Sequence, residues 1–180
     1  MSDIDSILNS AQDRLNLSLS EYEDDSSMLA HEFRQLKLQA SIFQYEICVE
    51  MAGFIRNNPQ GFSRNIALKG LIHRIYEYDS LLNSHLVHRM LSLAKERGMK
   101  IDSSDIKSEK KKWKGQLNRL KKWSDIRNEA TGHYGKNLIS QVNLVKSIDE
   151  NEVMSVTQAF LSFNMSVLRV LLDAGKGNIE

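Results

Sequence analysis

At 180 residues the chain is long enough to bury a real core as one domain, and 41% apolar with 26% charged residues makes it globular, not disordered. A net charge of +1 selects no partner by itself, and the lone Cys48 excludes an internal disulfide. No apolar run approaches the roughly 18 residues of a membrane span. A single proline, with glycines clustered near expected breaks, favours an all-helical protein.

In chain order, Ile4, Ile7, Leu8, Ala11 and Leu15 recur at three and four and predict an amphipathic first helix. Residues 17–25 read as its weaker continuation or as a joint, so 1–25 form an N-terminal helix and its connection. A long second helix is expected over 27–57, with a stripe of Leu29, Phe33, Leu36, Ala40, Phe43, Ile47 and Met51. The run Asn57-Asn58-Pro59-Gln60-Gly61 then stops it. Ser63 is a candidate cap for a third helix with Leu68, Leu71, Ile75, Tyr78, Leu82, His85, Met90 and Leu93 inward, ending near Gly98.

Asp102-Ser103-Ser104-Asp105 offers caps for a fourth helix carrying Trp113, Leu117, Leu120 and Trp123 and ending near Gly132. Residues 134–147 read as a connection. Asp149 or Asn151 opens a last helix with Val153, Val156, Phe160, Phe163, Val167 and Leu171 inward, and 175–180 are expected to fray. No stretch alternates like a strand, and no repeat is present. Four long helices with short connections imply an up-down bundle, residues 1–180 as one domain, with the first helix packed across it.

Charge is unevenly spread. The segment before Ser26 is acidic, with Asp13, Glu21, Glu23, Asp24 and Asp25, whereas the fourth helix is strongly basic. Its Lys110, Lys111, Lys114, Lys121 and Lys122 suit an anionic ligand, or else form a solvated face. The basic run leads into Asp125-Ile126-Arg127-Asn128-Glu129-Ala130-Thr131-Gly132-His133-Tyr134-Gly135. Arg127 falls near the end of the apolar stripe, where a charged group needs a partner or an opening to solvent. On an unbroken helix His133 would point about 120° away from it. Gly132 can end the helix and re-aim His133, or the two groups converge across a dimer interface. The simpler reading gives Arg127 an ion pair with Asp125, Glu129 or a neighbouring helix, and makes His133 a cation at a helix C-terminus.

Arg127-Asn128, followed by His133 at the end of a long helix in a compact all-α chain, resembles the HEPN superfamily (higher eukaryotes and prokaryotes nucleotide-binding). That signature is an arginine, a polar residue, a few further residues and a histidine. The resemblance covers roughly 28–172. Tyr76-Glu77-Tyr78-Asp79 is similar to the aromatic-acidic patch of abortive-infection HEPN proteins. The resemblance implies a HEPN-like bundle and a homodimer whose two motifs line one cleft. It also implies a metal-independent endoribonuclease of a bacterial defence or toxin–antitoxin type, with a cognate antitoxin or another defence-system protein as partner. The implied catalytic residues are Arg127, Asn128 and His133, with Tyr134 as a candidate site of regulation by adenylylation. In the family that tyrosine is spaced His-x-Tyr, and here it follows His133 directly. The alternative is a non-catalytic HEPN dimer that binds RNA or a nucleotide.

The chemistry of these residue types agrees. RNA carries its own nucleophile, the 2′-hydroxyl. An imidazole can take its proton or protonate the leaving 5′-oxygen, and a guanidinium can hold the phosphate as charge builds. The products are then a 2′,3′-cyclic phosphate and a 5′-hydroxyl. No Walker loop, dinucleotide fingerprint, cysteine cluster or Gly-x-Ser-x-Gly elbow is present, so no cofactor and no metal are expected. His85 and His88 share a helix face without a carboxylate at ligand spacing, and Trp113 and Trp123 read as core. The acidic N-terminus lacks a signal-peptide pattern, and Cys48 lies in an apolar stretch, so a buried thiol and a cytoplasmic protein off the membrane are expected.

Overall fold

The structure, a computed structural model, describes residues 3–26, 31–99, 101, 103–131 and 137–176. Among them the chain is all helical, with no strand. Helix α1 spans Asp3–Glu23, so the stretch after Leu17 continues the helix and is not a joint. It packs along α2, His31–Asn57. The two are tied by Ser18 and Ser41, whose buried hydroxyls lie 2.8 Å apart, and by Arg34. The Arg34 guanidinium donates to the Glu21, Tyr22 and Asp24 carbonyls, closing the end of α1 where backbone acceptors are orphaned. Lys37 pairs with Glu21. The acidic end of α1 is therefore engaged by cations of α2.

Helix α2 buries most of the stripe its spacing predicts, with Phe33, Leu36, Ala40, Phe43 and Ile47 inward and Met51 half-buried, while Leu29 lies outside the described residues. Cys48 is buried as expected, and burial pushes its thiol up from its ordinary pKa, which leaves it inert. The helix stops at Asn57. Asn58 and Gly61 then take positive φ, 40° and 57°. Ser63 does not cap α3, Phe62–Leu81: its hydroxyl donates backward to the Gln60 carbonyl, and Gly61 holds the N-cap position without a side-chain bond.

The rod that starts with α3 widens into a π turn at Leu82–Leu86 and continues as α4, Val87–Glu96. This overturns part of the expected stripe. His85 is exposed and Leu93 only half-buried, whereas Leu86, Met90 and Ala94 go inward. From Tyr78 the buried positions fall every fourth residue, through Leu82, Leu86, Met90 and Ala94. On a regular α-helix each such step drifts about 40°, or about 160° over the four. A π turn holds more residues per turn and takes up that drift. Gly98, at φ 66°, closes the end with a bond from the Met99 amide to the Ala94 carbonyl at 2.8 Å.

The basic rod has the opposite irregularity. Helix α5, Ser103–Lys112, breaks at Trp113 and resumes as the one-turn α6, Lys114–Leu117. It then tightens into a 3-10 stretch, Asn118–Trp123, and ends in a second π turn, Ile126–Thr131. From α6 onward the buried residues are Leu117, Leu120, Trp123 and Ile126, every third position. An α-helix would lose about 60° at each step, whereas a 3-10 helix keeps all of its residues at that spacing on one side.

The segment expected as a connection contains a helix, α7, Leu138–Lys146, capped by Asn137, whose side chain accepts from the Ser140 amide at 3.1 Å. Helix α8, Glu150–Lys176, is opened by Asp149 through bonds from the Asn151 and Glu152 amides. It packs against α2, α3, α5 and α6 and carries Val153, Val156, Phe160, Phe163 and Val167 into one continuous core. Arg64 of α3 forks onto Glu150 at its start. No helix among the described residues is long and apolar enough to cross a membrane.

Candidate functional site

The site grows from four successive residues of α3. Helical geometry sends neighbours about 100° apart, so Tyr76-Glu77-Tyr78-Asp79 faces four ways. Tyr78 points inward: its ring stacks on Phe43 with centroids 3.8 Å apart, and its hydroxyl donates to Asn164 Oδ1 at 2.9 Å. Asn164 in turn donates to the Ala40 carbonyl and Gln44 Oε1, both at 3.1 Å, so α2, α3 and α8 meet at one buried amide. Burial drives the Tyr78 phenol well above its ordinary pKa, and it remains a neutral donor. This anchor leaves Glu77 exposed and Tyr76 and Asp79 half-buried along the opposite side.

Arg127 meets that side. The second π turn packs between α3 and α7, and Arg127 Nε donates to Glu77 Oε1 at 2.6 Å. Arg127 Nη1 donates to Asn128 Oδ1 at 2.9 Å. The side chains of the ion pair are 40% and 44% exposed. The charged group at the end of the stripe thus has both a partner and an opening to water. The partner is on a neighbouring helix: Glu129 accepts from Ser140 Oγ instead. The Glu77 hydrogen bond, and then its charge, hold the guanidinium still more firmly in its charged form, with a smaller contribution from the nearby Tyr76 phenol. Such a pair can exchange its carboxylate for a phosphate, which a guanidinium binds with the same planar donors. His133 and Tyr134 lie outside the described residues. Leu138 and Ile139, at the start of α7, are 69% and 75% exposed.

A cleft of about 610 Å³ lies between α3 with its π turn and the basic rod. Leu117 and Leu120 supply apolar surface, and Tyr76, Asp79, Ser80, Asn83, Ser84, Lys110, Asn118 and Lys121 supply the rest. Asn83 comes from the first π turn, and Lys121 follows Asn118 by one 3-10 turn, so the irregular geometry of both rods shapes this space. Asn83 Nδ2 donates to Asp79 Oδ1 at 2.7 Å, and Lys110 Nζ donates to Asn83 Oδ1. Burial pushes the Asp79 carboxyl above its ordinary pKa, while the Asn83 bond and the Lys110 charge pull it back.

The five lysines divide. Lys110 is half-buried and committed to Asn83, and Lys121 borders the cleft. Lys111, Lys114, Lys121 and Lys122 are exposed. A larger groove of about 740 Å³ runs between α2 and α3, where Arg74 pairs with Glu46 and Glu50, and Glu77 borders that groove as well. Among the described residues no group of three or more His, Cys, Asp or Glu side chains is placed to hold a metal ion. His85 and His88 are both exposed.

Sequence reasoning singled out Arg127, Asn128 and the Tyr-Glu-Tyr-Asp run but did not join them. It missed Asn83 altogether, because an asparagine inside a helical pattern carries no signal until a wide turn presents it. No protein-family model matches this chain, and neither does any curated protein or solved structure.

Proposed function

We propose that the protein is a HEPN-like, metal-independent endoribonuclease. The observation that carries this reading is the position of Arg127: a half-exposed guanidinium beside an amide, at the end of a lysine-rich rod that lines a cleft against α3. In this reading the scissile phosphate displaces the Glu77 carboxylate and is held by Arg127. Asn128 orients the phosphate or the imidazole, and His133 moves the proton of the 2′-hydroxyl or protonates the leaving 5′-oxygen. Lys111, Lys114, Lys121 and Lys122 draw the RNA backbone in, and Lys110 works through Asn83. The rods α2, α3–α4, α5–α6 with their continuation, and α8 are the four long helices of the bundle, with α1 alongside. The protein acts as a homodimer that brings two motifs together, in a defence or toxin–antitoxin setting with a cognate antitoxin or another defence protein. Tyr134 is the candidate regulatory residue.

One observation favours a second reading, a non-catalytic dimer that binds RNA or a nucleotide: the Arg127 guanidinium already has a carboxylate partner in Glu77. Incubating the purified full chain with single-stranded RNA in EDTA decides between them. Cleavage leaving 2′,3′-cyclic phosphate ends, lost in both His133→Ala and Arg127→Lys, supports the ribonuclease. Binding without cleavage supports the second reading, and neither binding nor cleavage overturns both.

A further inference from the structure

We propose that the cleft between α3 and the basic rod is a subsite for a guanine base. Hydrogen-bond direction selects the ligand. Lys110 can only donate, so Asn83 presents its carbonyl to Lys110 and its amide nitrogen to the backbone carbonyl and the carboxylate of Asp79. The chain of donors therefore ends at the Asp79 carboxylate, which lines the cleft and can only accept in its charged form. Each carboxylate oxygen has two lone pairs, so the Asn83 bond to Oδ1 leaves capacity for two parallel ligand donors. Among the four RNA bases only guanine offers two adjacent donors on one edge, N1–H and the N2 amino group. Adenine and cytosine place an acceptor beside their amino group, and the single N–H of uracil lies between two carbonyls.

The remaining walls suit the rest of a nucleotide. Tyr76 offers an aromatic face, and Lys121 a cation for a phosphate. About 610 Å³ is ample for one nucleotide. Tyr76 directly precedes Glu77, the ion-pair partner of Arg127, so a base against Tyr76 lies one residue along α3 from the place where the proposed function puts the scissile phosphate. Only that last placement rests on the ribonuclease reading; the base preference does not.

The test is calorimetric titration of the full chain with the 5′-monophosphates of guanosine, inosine, adenosine, cytidine and uridine. Guanosine monophosphate should bind more tightly than the adenosine, cytidine and uridine nucleotides by roughly 5- to 100-fold, the range for a good bidentate base contact. Inosine monophosphate, which lacks the N2 amino group, should lose most of that advantage. Asp79→Asn should bring the guanosine-to-inosine ratio close to one, with its melting curve showing that the variant is folded. Equal binding of all five nucleotides, binding of none, or an unchanged ratio in Asp79→Asn overturns the proposal. Guanosine binding with no RNA cleavage would sink the ribonuclease and leave this subsite standing. Cleavage with no guanosine preference in the titration would do the reverse.

Discussion

Replacing Tyr78 by Phe removes one oxygen from the place where α2, α3 and α8 meet and leaves the ring where it is. The stack on Phe43, with ring planes 5° apart, is retained, so the loss is confined to one hydrogen bond. That bond runs at 2.9 Å to Oδ1 of Asn164, which is 0% exposed, so the acceptor left behind has no route to water. A stranded buried acceptor costs about 1–3 kcal/mol. For a chain of this length, about 2 kcal/mol lowers Tm by about 4–8 °C. Urea and thermal unfolding of the variant measure this directly. Combining Tyr78→Phe with Asn164→Leu removes both partners, so the double variant should be less destabilised than the sum of the singles by about 1 kcal/mol. A Tyr78→Phe protein within about 0.5 kcal/mol of the parent would refute the reasoning, because the Asn164 oxygen would then have to be satisfied in another way.

Asp79→Asn should raise stability at neutral pH. Burial holds the folded-state pKa of Asp79 above its ordinary value, so the carboxyl favours the fold when protonated and that contribution is lost as pH rises through the folded value. The advantage of the variant should shrink as pH falls through the carboxylate range; a variant that melts lower than the parent at neutral pH contradicts this. Arg127→Lys should cut RNA roughly 10²–10³-fold more slowly while folding normally, because its ion pair is half-exposed and an ammonium cannot reproduce a planar fork; near-normal turnover would leave Arg127 with only a structural role. For Lys111→Glu with Lys114→Glu, both exposed, RNA affinity should fall for all sequences alike. The slope of log K against log salt should also flatten, by about 0.7 for each phosphate no longer neutralised, and an unchanged slope removes the rod from the RNA-binding surface. Light scattering at micromolar concentration should report a dimer, and a monomer that cleaves RNA at nanomolar concentration would argue against a shared cleft.

The parts of the fold that were legible in the sequence are those wound at the ordinary 3.6 residues per turn. The stripes of α2 and α8 have mixed spacings of three and four, and from Phe33 to Ile47 and from Val153 to Val167 the structure buries them in the predicted phase. Reading failed where spacing became uniform. A run of fours from Tyr78 and a run of threes from Leu117 were each fitted to an α-helix, which is why His85 and Leu93 were expected in the core in place of Leu86 and Ala94. Helix α7 was missed because the glycines at 132 and 135 read as loop, and Asn137 was not recognised as its cap. At the site, the need of Arg127 for a partner followed from its position at the end of an apolar face. Its pairing with Glu77, fifty residues away, depended on how two irregular rods lie together, and no local pattern encodes that.

The widened turn at Leu82–Leu86 also sets how the chain tolerates a change in length. Such a turn carries one residue more than a plain helical turn would. Deleting a single residue there, for instance Ser84, would remove that surplus and let α3 run into α4 as an unbroken helix. Backbone hydrogen bonding would gain regularity, and Leu86, Met90 and Ala94, each then one position closer to Tyr78, would stay near the face they now fill, because a plain helix brings those shorter spacings back to it. The cost would fall on the cleft, because the wide turn that carries Asn83 and Ser84 into its wall would close. A one-residue deletion at the wide turn should therefore spare the core, whereas the same deletion within α4 would turn Met90 and Ala94 about 100° away from it, and substitutions at the exposed Ser84 should be borne with little effect.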